Sequence, residues 1–364
     1  MSDGADRRIV ESSPIPDVAA LGWHRRPGRG RRPQPGYEVS RVAVEHRGAY
    51  ELVDDDGRTI GAVDASIRDA ARTPFDFPTV GDWVVRSLEA RHDRRVAIVE
   101  VLDRTSLLCR RASGPRPQPQ LVAANADILA VVTTPTPAAD DRTTSATDAG
   151  HRIEWYLTAA FGGGVRPLIV VNKIDTASQA ECEATVEALR RRLGAAADDV
   201  AILETCALDG RGLDGLAALA QDGATVAFSG PSGVGKSSLV NRLAESEVMS
   251  VAPLSPGGRG RHTTVRRQLV PIGGPSGGTL IDTPGLQNLI PWGGEGGLVS
   301  APDGVHHGLA SVFGEIATLA QRCRFADCAH TVEPDCAVVA AVQTGDLADE
   351  RLGTYLELVA DMGR

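Results

Sequence analysis

The sequence predicts an α/β fold: a mostly parallel sheet with helices on both faces, preceded by a small β-barrel and followed by a helical unit that binds a metal. Three observations support this prediction. Five short strand-like runs recur between Tyr37 and Arg111, and apolar strand-like runs alternate with helical stretches over residues 121–295. Three of the six cysteines lie close together, between Cys323 and Cys336. Continuous apolar strands separated by helices are typical of parallel sheets buried on both faces.

Length and composition exclude several classes of protein. A chain of 364 residues is long enough for two or three domains. Its 42% hydrophobic and 23% charged residues exclude wholesale disorder. No apolar run approaches the roughly 18 residues of a membrane span, and the first residues lack the apolar core of a secretory signal. We therefore expect a cytoplasmic protein with no membrane partner. Because the net charge is −9, any RNA contact requires local basic patches.

The first part of the chain is expected to contain an arm and a barrel. Residues 1–36 are rich in Pro, Gly and Arg, which predicts a disordered basic arm, either a solubilising tail or an RNA contact. The strand-like runs of residues 37–113 fit a five-stranded oligonucleotide-binding (OB) barrel. Three aromatic side chains in these runs are either barrel core or stacking platforms for bases: Tyr37, Tyr50 and Trp83.

A phosphate-binding loop is predicted at residues 230–237, between the strand-like run TVAFSG and a helical run. The spacing is Gly, any four residues, then Gly-Lys-Ser. The glycines let backbone N–H groups face phosphate oxygens, while Lys236 reaches the β- and γ-phosphates and the Ser237 hydroxyl ligates Mg²⁺. The predicted nucleotide-binding residues here are Gly230, Pro231, Ser232, Gly233, Val234, Gly235, Lys236, Ser237 and Ser238.

The segment Asn172-Lys-Ile-Asp175, after another strand-like run, predicts guanine recognition. The Asp175 carboxylate can accept hydrogen bonds from guanine N1–H and the exocyclic amino group, whereas adenine presents an acceptor at N1. Asn172 would brace the neighbouring loops, and the stem of Lys173 would lie over the base. The only lysines of the chain, Lys173 and Lys236, both lie in nucleotide-binding motifs.

A second base contact is expected from Glu204-Thr-Cys-Ala207, at the end of a further strand-like run. Cys206 and Ala207 are the candidate GTP-binding residues, with the Ala207 N–H directed at the base oxygen. As side chains, Cys109, Cys182 and Cys206 are expected to be small buried apolar groups.

The segment Asp282-Thr-Pro-Gly285 predicts a metal and γ-phosphate contact. Asp282, at a strand tip, can hold Mg²⁺, and the Gly285 N–H can sense the γ-phosphate. The glycine-rich basic loop before this motif offers Thr263 or Thr264 to complete the Mg²⁺ shell. His262 in the same loop is the candidate catalytic residue that orients the attacking water. The alternative is a surface loop whose arginines are only solvated.

The C-terminal segment predicts a structural zinc site. Cys323, Cys328, His330 and Cys336 supply three thiolates and one imidazole, which complete a tetrahedral shell and leave no position open for catalysis. We expect one Zn²⁺ per chain in a helical domain over residues 299–364, because so small a unit buries little core by itself.

The order of these motifs is unusual, because the base motif precedes the phosphate-binding loop. In the common GTPase arrangement the phosphate-binding loop comes first. A circular permutation explains the exchange, since domain termini often lie close together. The prediction is therefore an α/β fold: a circularly permuted P-loop GTPase domain at 121–295, with an N-terminal OB-fold β-barrel and a C-terminal α-helical zinc-binding domain. The Asp282 loop leads into that last unit, so a γ-phosphate-dependent switch would move it.

Taken together, the motifs resemble those of the circularly permuted ribosome small-subunit biogenesis GTPases, the RsgA family. Further matching segments are Ala124-Asn-Ala-Asp127, Gly260-Arg-His-Thr-Thr264, Cys323-Arg-Phe-Ala-Asp-Cys-Ala-His330 and Glu333-Pro-Asp-Cys336. The resemblance implies GTP hydrolysis with Mg²⁺, stimulated by the small ribosomal subunit during its late maturation, with rRNA as the chief contact. It also implies binding of GTP and GDP, and we expect a monomer.

The chain departs from the family pattern at the arm over residues 1–36, in a long acidic segment at 134–150 and at Val265, where another Thr is common. Two other functions stay open from the residues alone. One is a P-loop ATPase or small-molecule kinase, which Asp175 disfavours. The other is an rRNA-binding scaffold that holds nucleotide with little turnover.

Overall fold

The computed structural model describes residues 21–25, 33–90, 93–112, 118–135, 153–244, 267–272, 277–283, 290–292 and 304–363. The strands are β1 (Tyr37–His46), β2 (Ala49–Asp54), β3 (Gly57–Val63), β4 (Trp83–Ala90), β5 (Val96–Val101), β6 (Leu107–Arg111), β7 (Pro119–Ala124), β8 (Ile128–Thr133), β9 (Arg166–Asn172), β10 (Ala201–Thr205), β11 (Thr225–Ser229), β12 (Gln268–Pro271) and β13 (Thr279–Asp282). The α-helices are α1 (Ala65–Ala70), α2 (Ile153–Gly162), α3 (Gln179–Leu193), α4 (Leu213–Leu219), α5 (Lys236–Leu243), α6 (Gly304–Val312), α7 (Gly314–Ala320), α8 (Ala337–Thr344) and α9 (Asp349–Gly363).

The first five strands close into a barrel in the order β1-β2-β3-β5-β4, with β4 pairing back to β1. Only β3 and β5 run parallel within it. This confirms the predicted five-stranded barrel. Tyr50 and Trp83 are buried in it, at 8% and 2% exposure, because they pack with the apolar side chains of the barrel and its junction. They are therefore core residues, and Tyr37 alone of the three aromatic candidates is exposed.

The second part of the sheet has the order β10-β9-β8-β11-β13-β12 and is parallel except for β12, which is antiparallel to β13. The run that forms β8 is buried at all but its last position, as expected for a strand covered on both faces. This confirms the α/β prediction. The hairpin β6–β7 lies between the barrel and this sheet, and β12 also pairs with β1 of the barrel at Val44 and Gln268.

One buried arginine joins the barrel to the parallel sheet. Arg41 on β1 is 1% exposed and donates hydrogen bonds to the Thr225 hydroxyl at 2.9 Å and the Thr279 hydroxyl at 3.1 Å. Those threonines are the first residues of β11 and β13. Arg41 also donates to the backbone carbonyls of Gly81 and Asn125. The amino ends of two central strands are therefore held by a barrel side chain.

Residues 21–25 are packed against the barrel, although they lie in the stretch predicted to be a disordered arm. Leu21 is fully buried, and Trp23 meets Trp83 edge-on with 5.0 Å between the ring centroids. The apolar side chains of Leu21 and Trp23 contact the barrel and supply buried surface. The Pro, Gly and Arg content of the surrounding stretch does not predict this packing. Residues 1–20 and 26–32 lie outside the described ranges.

The C-terminal helices pack on the parallel sheet's own helices. Gly308 on α6 lies so close to α2 that a Cβ there would overlap the Thr158 carbonyl oxygen. The buried Glu154 on α2 receives two hydrogen bonds from Arg192 on α3, at 2.6 and 3.0 Å, and Arg351 on α9 lies 3.9 Å from the same carboxylate. In the part of the chain described here, no helix has the length and apolar character to span a membrane.

Candidate nucleotide-binding and metal sites

The loop after β11 has the conformation that its glycines allow. Gly230 and Gly235 have φ values of 133° and 96°, in the region that favours glycine. A Cβ at Gly230 would overlap the Val132 carbonyl oxygen, and one at Gly235 would overlap the Asn172 amide. The loop therefore turns tightly out of the strand and α5 begins at Lys236, the geometry that presents backbone N–H groups to phosphate.

The ammonium group of Lys236 lies inside this loop. Its Nζ donates to the carbonyl oxygens of Gly230 at 2.9 Å and Pro231 at 2.6 Å. Burial lowers the pKa of Lys236, and the negative charge of Asp282 opposes that shift. The loop thus holds a partly buried cation beside the carboxylate at the tip of the neighbouring strand.

Asp282 is the buried acidic group of the site. It ends β13 at 1% exposure, and neither carboxylate oxygen accepts a hydrogen bond from the described residues. Burial raises the pKa of Asp282, and the positive charge of Lys236 offsets this only in part. A buried carboxylate is stable only when it is paired or bound to a metal, and Mg²⁺ prefers oxygen ligands. Asp282 and Ser237 therefore fit a Mg²⁺ ion.

We expect Asp282→Asn to stabilise the nucleotide-free and metal-free protein near neutral pH by about 1 kcal/mol, because it removes a poorly compensated buried charge. The pKa of Asp282 is raised in the fold, so the wild-type carboxyl contributes stability below its ordinary pKa and loses it as the pH rises through the folded value. The gain in the variant should therefore disappear in acid. Urea unfolding of both proteins across pH measures this, and a less stable variant at neutral pH would contradict it.

Asn172, the last residue of β9, connects three loops. Its side-chain nitrogen donates to the Val234 carbonyl of the phosphate-binding loop at 2.8 Å. Its side-chain oxygen accepts from the Thr205 hydroxyl at 3.2 Å and from the Ala207 N–H at 3.3 Å. The base motif, the phosphate-binding loop and the loop after β10 therefore meet at one edge of the sheet, where the parallel strands end.

Asp175, the acidic group of the base motif, accepts a hydrogen bond from a buried thiol. The Cys206 Sγ lies 3.1 Å from Asp175 Oδ1, and the thiol is fully buried. Burial and this hydrogen bond both raise the pKa of Cys206, so the thiol stays protonated and donates to the carboxylate. The sequence indicated Cys206 as a buried group or a base contact, but gave no sign of this partner. Lys173, directly after β9 and two residues before Asp175, has a φ of 63°, so the backbone turns out of the strand there.

Several predicted site residues lie outside the described ranges. They are Gly285, His262, Thr263 and Thr264. Their roles stay predictions from the sequence. Ser232, Gly233, Val234 and Ser238 all lie in or directly after the phosphate-binding loop described above.

The four predicted metal ligands converge in the C-terminal unit. Their ligand atoms lie within 4.8 Å of one another. The Cys323 and Cys336 sulfurs are 3.8 Å apart, and His330 Nδ1 is 3.7 and 3.5 Å from them. A tetrahedral zinc with bonds of about 2.3 Å to sulfur and about 2.0 Å to nitrogen requires ligand separations of about this size. The site, which includes Cys328, therefore fits Zn²⁺.

The loop that carries these ligands is shaped by Glu333. Its carboxylate accepts from the backbone N–H groups of Ala329 at 3.0 Å and Thr331 at 2.9 Å, and these bonds lower the pKa of Glu333 to about 2. His330 lies between those residues with φ 58°. Burial lowers the pKa of His330, which favours the neutral imidazole that a metal requires.

Comparison with known proteins gives consistent results. The family model described as RsgA GTPase matches residues 101–291. "Small ribosomal subunit biogenesis GTPase RsgA 2" of Lactiplantibacillus plantarum is 35% identical over 331 residues, which cover 90% of this chain and 84% of the relative. "Small ribosomal subunit biogenesis GTPase RsgA" of Streptomyces avermitilis is 38% identical over 292 residues, 80% of this chain and 71% of that one.

Two solved structures share the fold. YjeQ from Thermotoga maritima superposes with a TM-score of 0.57 at 26% identity, covering 90% of this chain and 99% of that chain. YloQ, described as a circularly permuted GTPase, gives a TM-score of 0.53 at 23% identity and covers 92% and 98%. The likeness to YloQ concerns the fold alone.

Proposed function

Because the chain belongs to the RsgA GTPase family, we propose that it hydrolyses GTP to GDP and phosphate while bound to the small ribosomal subunit, during late maturation of that subunit. The observation that carries the proposal is the position of Asn172. Its amide connects the phosphate-binding loop to both loops of the base motif, which creates one continuous site for a guanine nucleotide. Ribosomal subunits are assembled in the cytoplasm, so the protein would act there, with rRNA as its chief contact.

The fold is circularly permuted, and the strand orders support the domain bounds that we propose. We assign the barrel to residues 37–113, the GTPase domain to 121–295 and the zinc-binding helical domain to 299–364. In the GTPase domain β9 and the base motif precede β11 and its phosphate-binding loop in the chain, although the strands lie in one sheet. The permutation thus changes the order of the motifs and keeps their positions at the carboxyl edge.

Each group of the site has a distinct task in this proposal. Asp175 accepts hydrogen bonds from guanine, and Lys236 with the loop N–H groups binds the phosphates. Ser237 and Asp282 would hold Mg²⁺ together with Thr263 or Thr264. Bound Mg²⁺ would neutralise charge on the phosphate oxygens. The Gly285 N–H would contact the γ-phosphate.

Water positioning requires a residue other than the usual glutamine. In many GTPases a glutamine directly follows the Asp-x-x-Gly motif, but Leu286 stands there and can neither donate nor accept a hydrogen bond. Gln287 is one residue further. His262, in the glycine-rich loop, is the residue that we assign to this task. A loop rich in glycine loses much entropy when it orders, so free protein should turn over slowly.

The proposal predicts slow GTP hydrolysis that small ribosomal subunits accelerate. His262→Ala should lose most of the stimulated rate and keep its affinity for GTP, whereas Gln287→Ala should keep both. Multiple-turnover assays of the wild type and both variants, with and without subunits, measure this, and ATP in the same assay tests nucleotide selectivity. Loss of stimulation in Gln287→Ala with retention in His262→Ala would reverse the assignment. No stimulation of the wild type would leave an rRNA-binding scaffold as the function.

A further inference from the structure

Three arginines form a cluster at the hairpin of β6 and β7, two of them on the hairpin and one beside it. Arg110 and Arg111 end β6, and Arg267 directly precedes β12. Arg110 Nε donates to the Gln120 side chain at 2.9 Å, and Arg267 Nη1 donates to the carbonyl oxygen of Leu121. Gln120 and Leu121 are consecutive residues of β7, so both arginine side chains bond to neighbouring positions of one strand. Burial lowers the pKa of Arg110, and the charge of Arg267 lowers it further.

In the described structure the hydrogen bonds of the cluster go to neutral groups, an amide and backbone carbonyls. The carboxylate of Glu45 lies 3.8 Å from Arg267 Nη2, which is longer than a hydrogen bond. Arg110 has a neutral amide as its hydrogen-bond partner. Arg111 donates to the Asp361 carbonyl at 3.3 Å, and its buried Nε has no partner among the described residues.

The fully buried Arg41 bonds to neutral groups of the barrel and the sheet, but four partly buried arginines of the described structure are paired much more closely. Each has a carboxylate oxygen within hydrogen-bond distance: Arg86 with Glu38 at 2.7 Å, Arg104 with Asp82 at 2.7 Å, Arg192 with Glu154 at 2.6 Å and Arg351 with Glu315 at 2.6 Å. Two adjacent guanidinium groups without such a partner repel each other. An anion with several acceptor oxygens would relieve this repulsion, and guanidinium geometry matches phosphate oxygens.

We infer that Arg110 and Arg267, with Arg111 beside them, bind a phosphate of the RNA backbone, an inference that rests on the proposed ribosomal function. The chain has a net charge of −9, so an RNA contact requires a local excess of positive charge such as this one. The position of the arginine cluster also fits a contact with RNA. The hairpin borders the OB barrel, and Arg110 pairs through its backbone with Pro291, which follows the Asp282 motif in the chain.

The test is the salt dependence of binding to purified small ribosomal subunits, measured for the full chain with a non-hydrolysable GTP analogue. Each phosphate contact releases counterions, so Arg110→Gln and Arg267→Gln should each reduce the slope of log K against log salt by about one. The loss of affinity should be largest at low salt and shrink about threefold between roughly 50 and 200 mM salt. Arg110→Lys should keep the slope, because it keeps the charge.

Arg191→Gln is the matched control. The Arg191 side chain is 73% exposed on α3 and lies 3.8 Å from Glu187. The substitution therefore removes one charge outside the cluster and should keep the wild-type slope. Unchanged slopes in both Gln variants of the cluster, with GDP affinity intact, would overturn the inference. The inference would also be overturned if the slope changed with intact subunits but not with protein-free small-subunit rRNA, because the partner would then be a ribosomal protein. A wild type that binds no subunits would instead refute the proposed function.

Discussion

Asp175→Asn is expected to weaken the binding of guanine nucleotides by about a thousandfold or more and to create affinity for xanthine nucleotides. The carboxylate can only accept hydrogen bonds, and guanine offers two donors at that edge. An amide presents a donor where guanine also has one, whereas xanthine has a carbonyl oxygen in that place. Sites built on such pairing discriminate by large factors, because a mismatch leaves polar groups unpaired. Titration with fluorescent GDP and xanthosine diphosphate measures both effects.

The matched control for this prediction is Cys206→Ser. The thiol of Cys206 donates to Asp175 at 3.1 Å, and a hydroxyl can make the same bond with little change in volume. GDP affinity in Cys206→Ser should therefore stay near that of the wild type. Undiminished GDP binding by Asp175→Asn would show that Asp175 does not recognise the base.

Cys323→Ser is expected to release the bound zinc and unfold the C-terminal unit, with guanine binding retained. Structural zinc sites contribute about 10–16 kcal/mol of apparent binding free energy, which is as large as the whole stability of a typical domain. The unit is short, and the four ligands from separate parts of it converge at one point. Zinc content per chain and hydrogen exchange in α7 to α9 report the loss, and GDP titration reports the nucleotide site.

Cys182→Ser serves as the control for the zinc prediction. Cys182 is buried on α3, outside the metal cluster, so its replacement should leave the zinc content at one ion per chain. Purified wild-type protein without zinc, prepared in the absence of chelators, would contradict the prediction. So would an unchanged exchange pattern in a zinc-free Cys323→Ser variant.

The elements that the sequence predicted well are those whose signals are local. The buried run of β8, the glycines before α5 and the grouping of Cys328 with His330 each depend on neighbours within one short segment. The barrel and the parallel sheet were predictable for that reason. The five-stranded barrel and the mostly parallel pairing of the second part of the sheet agree with the expectation from the strand-like runs.

Contacts between distant segments could not be predicted in this way. Arg41 bonds to Thr225 and Thr279, which are 184 and 238 positions away, and nothing around Arg41 in the chain identifies those partners. The same holds for the thiol of Cys206, 31 positions from Asp175. Composition predicted disorder where Trp23 packs, because averaging over a polar stretch hides a single large apolar side chain.

The hydrogen bonds of Arg41 determine which ends of the central strands are anchored. They attach the barrel to the starting ends of β11 and β13, while the phosphate-binding loop and Asp282 stand at the opposite ends of the same strands. Since the starting ends are anchored, we expect displacement during a turnover cycle to occur mainly at the far ends. The barrel should then keep a constant distance from the sheet, and the movement should be passed on to the segment after Asp282, which leads to the zinc-binding helices.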